Sequence, residues 1–187
     1  MIRKRLTVLF CDVILMTCLF GPAHAYVKSV VDKPIENVLI EGKVTAELIE
    51  VFDPNAALDV EPGQTVTKEA KLTNTGNVTS YLVMKVKYVS GDTNKATGAQ
   101  LKSEYLTLED LNRGNNWTLA ENGEDYMIYY HNYPVGPGQS TSNLFTGVTL
   151  KSDWDEPCNF SIILSGAAIQ STAVTMSNAI AVSLFEE

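Results

Sequence analysis

The stretch Glu61 to Tyr88, E-P-G-Q-T-V-T-K-E-A-K-L-T-N-T-G-N-V-T-S-Y-L-V-M-K-V-K-Y, restricts the fold more than any other part of the chain. Pro62-Gly63 marks a turn, because proline presets one backbone angle and glycine accepts the positive angle that follows. Asn74-Thr75-Gly76-Asn77 marks a reversal on the same grounds, so the stretch reads as turn, strand, turn and return strand, a β-hairpin. In the return strand Val78, Leu82, Met84, Val86 and Tyr88 share one face, with Lys85 and Lys87 on the other. A period of two is the mark of a half-buried antiparallel strand. The stretch holds no catalytic residue set.

The same grammar recurs along the chain. Val44, Ala46 and Leu48 alternate with polar residues before Ile49 and Val51 take over the apolar phase, and a phase change within a strand suggests a bulge. Phe52-Asp53-Pro54-Asn55 ends that strand. Leu106, Leu108 and Leu111 give weak helical spacing, so a short helix is expected around Ser103 to Leu111. Trp117 to Ala120 reads as a strand, followed by a turn over Glu121-Asn122-Gly123-Glu124, since Asn-Gly is the strongest short hairpin signal. Tyr126, Ile128 and Tyr130 line one face of the next strand. Pro137-Gly138-Gln139-Ser140 echoes Pro62-Gly63-Gln64-Thr65, which suggests one turn type used twice rather than a repeat. Leu144, Thr146, Val148 and Leu150 alternate, as do Phe160, Ile162 and Leu164. Ala173 to Phe185 fits either a short helix or a strand. At least six short strands joined by Gly/Pro/Asn turns point to an all-β chain: an antiparallel, jelly-roll-like β-sandwich with one or two short helices.

The beginning of the chain has the order of a secretory signal peptide. Arg3, Lys4 and Arg5 precede an apolar run from Leu6 to Phe20, and Ala23-His24-Ala25 supplies small residues for cleavage before Tyr26. Asp12 interrupts the run, which is short for a bilayer span. The expected organisation is a signal peptide over 1–25, an extended arm over 26–39 and a β-sandwich domain over 40–187. Of 187 residues, removal of 25 leaves 162, enough for a domain that buries about 70% of its unfolded surface. Of 14 basic and 22 acidic residues, Arg3, Lys4, Arg5 and Asp12 lie in the leader; 11 remain against 21, a net charge of −10. That charge opposes nucleic acid and anionic membrane surfaces. Cys11 and Cys18 leave with the leader, so Cys158 alone remains and no intrachain disulfide is expected.

Residues for chemistry are sparse. A zinc hydrolase usually needs two histidines at helical spacing with a glutamate base, and beyond the leader there is one, His131. No G-x-S-x-G or phosphate-cradling glycine loop is present. Asp153-Trp154-Asp155-Glu156 offers oxygen ligands of the kind calcium takes, but without EF-hand spacing it reads as a solvated acidic turn. No catalytic, cofactor or metal residue is nominated. Sequons at Asn77, Asn116 and Asn159 are the chance yield of an Asn- and Thr-rich β protein.

In order along the chain, the residues resemble the TasA/camelysin (CalY) family of Gram-positive secreted proteins. The similar segments are Ile35 to Pro54, with Gly42, Val44 and Phe52-Asp53-Pro54; Pro62-Gly63, Val66 and Lys68; Asn74-Thr75-Gly76-Asn77; and Tyr81, Lys85 and Val86. They continue through Tyr126 to Tyr130, Pro137 to Ser140, Leu144 to Thr149 and Ala167-Ala168-Ile169-Gln170. The resemblance implies an exported biofilm matrix protein whose subunits form fibres, an N-terminal strand of one completing the sheet of the next. The arm Tyr26 to Leu39 is then the candidate donor, with self-association the expected partnership and other matrix or cell-surface proteins as further partners. The alternative for the arm is disorder or folding onto its own subunit. Two alternative functions stand beside the fibre: a secreted metallopeptidase of the camelysin type, which the single histidine disfavours, and a non-polymerising surface adhesion module. The last residues, Leu184-Phe185-Glu186-Glu187, carry no sorting or anchor pattern.

Overall fold

The alternating segments build two four-stranded antiparallel sheets packed face to face. In a computed structural model of the chain the described residues are 42–53, 55, 60–152 and 159–186, within one compact unit, Glu41–Glu187. The leader, the arm 26–39, the acidic turn Asp153 to Glu156 and Cys158 lie outside the described residues. One sheet has the order β1 (Ala46–Phe52), β2 (Thr65–Asn74), β7 (Phe145–Leu150), β4 (Leu106–Glu109). The other has the order β5 (Trp117–Asn122), β6 (Tyr126–His131), β3 (Ser80–Ser90), β8 (Phe160–Gln170). Two short helices, α1 (Gly98–Gln100) and α2 (Asn178–Ser183), and a π-helical turn, Leu101–Tyr105, complete the described elements. The antiparallel β-sandwich expected from the sequence is the observed fold.

The core lies where the period-two faces meet. Leu72 of β2, Leu82, Met84 and Val86 of β3, and Phe145 of β7 are fully buried between the sheets. The opposite face of β3 is covered too. Val83 and Ile128 pack beneath Ala181 of α2, so β3 is buried on both sides while Lys85 turns its ammonium over the Tyr126 ring at 4.5 Å. This resolves the ambiguous C-terminal segment as a helix: Ser177 caps its first turn, accepting from the Ile180 N–H at 3.4 Å.

Three local expectations are corrected. The stretch Glu61 to Tyr88 is not a hairpin, because β2 pairs with β1 and β7 while β3 pairs with β6 and β8. The Asn74–Asn77 turn carries the chain from one sheet to the other. Its N–H groups do not close a hairpin: Thr75 and Gly76 donate to Thr45 O, and Asn77 donates to Lys43 O at 3.0 Å. Second, β1 runs in unbroken register from Ala46↔Asn74 to Phe52↔Lys68 and has no bulge. The apolar residues out of phase, Ile49 and Val51, simply occupy its outer face. The register shifts fall instead between Thr67 and Ala70 and between Leu119 and Glu121. Third, no helix spans Ser103 to Leu111. A single π-helical turn, Leu101–Tyr105, gives way to strand β4, in which Leu106 and Leu108 pair with Leu150 and Val148 and seal the core. Leu111 is left 36% exposed beyond them, so the helical spacing was incidental. The strand from Trp117 also runs further than expected, to Asn122.

The two P-G-Q turns are the same turn. In each, the glutamine N–H donates back to the first turn residue, Gln64 to Glu61 O and Gln139 to Gly136 O, both at 3.0 Å. Each glutamine Oε1 accepts from that residue's own N–H. Gly63 and Gly138 take φ of 87° and 72°, the positive angle a type II turn requires at its third residue. Each turn also latches onto the end of the neighbouring strand. Gly63 donates to Leu150 O and Leu150 donates to Gln64 O, while Gly138 donates to Asn74 O and Asn74 donates to Gln139 O. The hydroxyl pairs Thr65–Thr149 and Ser140–Thr73 repeat the relation. β2 and β7 are thus bound by a local two-fold resemblance.

Gly76 has a different reason to be glycine. A Cβ there would lie 2.2 Å from Lys43 O, so any side chain must push the 43–45 segment away. Gly76→Ala is expected to cost about 3 kcal/mol. Gly138→Ala, which meets only the positive-φ penalty, should cost about 1 kcal/mol. Urea midpoints of the two variants check the order; equal losses would contradict it.

Candidate strand-acceptor seam

Every open sandwich has four edge strands, here β1, β4, β5 and β8, and an edge presents unpaired N–H and C=O groups. Two of the four are blunted. β4 has four residues and ends at Glu109, whose carboxylate accepts from Thr149 Oγ1. β5 carries a register shift that bends its edge. β8 is the contrary case: eleven residues, F-S-I-I-L-S-G-A-A-I-Q, with no charge and no proline.

β1 lies against β8, so these two edges border one side of the sandwich. That side is poorly covered. The inward residues Ala46 and Leu48 of β1, and Phe160, Ile162, Leu164 and Ala168 of β8, pack against the core yet are only partly buried. No side chain of either strand is fully buried. On the opposite side Leu106 is 3% exposed and Trp117 2%. Among the described residues, the core is closed between β4 and β5 and half-open between β1 and β8. Sequence reasoning named no such site; the uncharged run Phe160 to Gln170 was the available signal.

The seam has two distinct ends. At one, Ala46 pairs with Asn74 and Ser80 with Gln170; at the other, Phe52 pairs with Lys68 and Ser90 with Phe160. The second end is polar inside. Lys68, 8% exposed, points inward, where it bonds to the Glu50 carboxylate and lies 4.4 Å from the Phe52 ring centroid. A buried ammonium without a partner would cost several kcal/mol, and the carboxylate and the ring face offset that. At the first end the Asn74–Asn77 turn holds residues 43–45. Asn77 accepts from the Lys43 N–H through Oδ1 at 2.6 Å and returns its own N–H to Lys43 O.

The residues with chemical potential do not converge. His131 ends β6, its Nδ1 2.8 Å from Tyr133 O and its ring edge-on to Trp117 at 5.3 Å. Among the described residues no three His, Cys, Asp or Glu side chains stand close enough to hold a metal ion. Burial, then the neighbouring Tyr129, pushes the Tyr88 hydroxyl well above the ordinary phenol range, so it stays protonated inside the core. Burial lowers the Lys102 ammonium, with Asp125 opposing it, and its Nζ donates to Gly123 O. Both belong to packing. The sequon residues Asn77 and Asn159 are exposed and Asn116 half-buried. No helix among the described residues is long and apolar enough to cross a membrane.

No protein-family model matches the chain, and no curated protein sequence matches it. Among solved structures, the sixth cohesin of Acetivibrio cellulolyticus scaffoldin B, crystallised with a Cel5 dockerin mutant, is similar at 14% identity and a TM-score of 0.35. The match covers 72% of this chain and 90% of the cohesin.

Half-coverage of the seam has an energetic signature. Leu82→Ala in the closed core should cost about 3 kcal/mol. Leu164→Ala in the seam should cost about 1 kcal/mol, because much of its surface is already in water. Chemical denaturation of the monomeric variants tests the difference, and equal costs would show that the seam is as well packed as the core.

Proposed function

We propose that the chain is an exported structural protein, a subunit of an extracellular matrix fibre assembled by strand donation between copies. The observation that carries this reading is the half-open seam between β1 and β8. A strand laid there would pair with open backbone groups and cover the six half-buried side chains. Both gains are available only to an extended segment, so the occupant is a strand. The resemblance to the TasA/camelysin family names the arm Tyr26 to Leu39 as that segment and the cell surface or matrix as the place. The expected signal peptide and the net charge of −10 after its removal fit export and solubility, not nucleic acid.

The test is assembly. The chain starting at Tyr26, concentrated and followed by negative-stain electron microscopy, is expected to form fibres. Deletion of Tyr26 to Glu36 should leave a folded monomer by circular dichroism and no fibres. Undiminished fibres after the deletion would contradict strand donation, and lasting monomers of the intact chain would favour a surface adhesion module.

A further inference from the structure

We infer that Asn122-Gly123 is a self-modifying site: the Gly123 nitrogen closes on the Asn122 carboxamide, and the product loosens the tip of the β5–β6 hairpin from β3. This chemistry needs no second copy and stands apart from fibre assembly. Asn-Gly is a strong hairpin signal because a type I′ turn needs positive φ at both central residues. The fold does not use the pair that way. Asn122 is the last residue of β5 and pairs with Met127, so the tip is Gly123 to Asp125. Neither Asn122 nor Gly123 has a positive φ. Turn geometry therefore gives no reason for either residue.

Packing does require the glycine. A Cβ at 123 would lie 2.4 Å from two carbons of the Tyr126 ring. That ring is held by the Lys85 ammonium, 4.5 Å from its centroid, and by the cluster around Val83 and Ile128. Asn122, by contrast, is exposed. The tip is fastened by Gly123 O, which accepts from Lys102, and by Asp125 O, which accepts from the Tyr88 N–H at 2.8 Å. Among the described residues nothing engages the Asn122 carboxamide.

Glycine brings no side chain of its own into the path from its nitrogen to Asn122 Cγ. Once a base takes the Gly123 N–H proton, the nitrogen attacks Cγ, the Cγ–Nδ2 bond breaks and ammonia leaves, giving a five-membered succinimide. Water then opens the ring. Addition at Cγ gives aspartate; addition at the backbone carbonyl carbon gives isoaspartate, with the chain routed through Cγ. One water is consumed and one ammonia released, with no oxidant or reductant. β5 is an edge strand and Asn122 its last residue, so ring closure needs only the end of one ladder to open. Isoaspartate adds a methylene to the backbone beside the Asn122–Met127 pair and a charge next to Glu121, Glu124 and Asp125. The longer backbone carries Asp125 O away from the Tyr88 N–H.

The test ages the folded chain starting at Tyr26 at mildly alkaline pH, labels it with an isoaspartyl methyltransferase and places the label by peptide mapping. Label at 122 is expected to exceed that at any other asparagine by about tenfold, because only Asn122 precedes a residue without a side chain. It should rise with pH, since the attacking nitrogen must lose its proton, and vanish in Asn122→Ser, a change at an exposed position. Exchange of the Tyr88 amide should quicken in the converted chain and not in Asn122→Asp, which adds the charge without the methylene. Retention of Asn122 in the folded chain, while the urea-unfolded chain converts, would overturn the site. Conversion with Tyr88 exchange unchanged would overturn its effect on the hairpin. Equal quickening in Asn122→Asp would overturn the lengthened backbone as the cause.

Discussion

The buried carboxamide of Asn74 is the interaction on which the rest of the structure depends. Its Nδ2 donates to Val78 O and Val135 O, both at 2.8 Å, and its Oδ1 accepts from the Gly76 N–H at 2.9 Å. Its backbone is latched to the second P-G-Q turn through Gln139 O and the Gly138 N–H. One side chain with no solvent exposure thereby ties the end of β2, the crossing turn, the start of β3 and the approach to β7. Buried polar groups are costly unless satisfied, and here three bonds satisfy a group that holds the two sheets at a fixed distance. In the turn that results, the Thr75 and Gly76 N–H groups donate to Thr45 O and the Asn77 N–H to Lys43 O. The placement of residues 43–45 at one end of the sandwich follows from the same residue.

Much of this was legible in the sequence. Alternation is a local property, so the strands around Leu82, Tyr126, Val148 and Ile162 could be read directly, and proline–glycine pairs report their own turn geometry. Partnership was not local. Nothing in Asn74-Thr75-Gly76-Asn77 says that its N–H groups bond to Lys43 and Thr45, about thirty residues earlier, instead of closing a hairpin. The same limit explains Leu106 and Leu108. Their spacing suits a weak helix or a strand equally, and the choice was made by Leu150 and Val148 on β7, which offered a sheet edge to pair with. Ile49 and Val51 mimicked a bulge because an edge strand exposes apolar side chains on its outer face.

The seam was invisible for a further reason: it is a deficit of covering, not a set of residues. Phe160, Ile162 and Leu164 look like ordinary core positions in sequence, and it is the place of β8 at the end of its sheet order that leaves them half-buried. What the sequence did hold was the lack of guards, since eleven residues without a charge or proline are unusual for a strand left at an edge. Natural sandwiches blunt such edges. β4 and β5 are blunted by shortness and a bulge, so the chain does manage its edges, and the β1/β8 side is the exception. An exception confined to one side, next to a half-covered core, is what an acceptor of a strand requires.

Hydrogen–deuterium exchange of the assembled protein against its monomer tests the central claim most directly. If a strand fills the seam, amides along β8 and β1 become strongly protected on assembly, while those of β4 and β5 keep their monomer rates. Protection confined to β4 and β5, or assembly that leaves β8 and β1 exchanging as before, would contradict it.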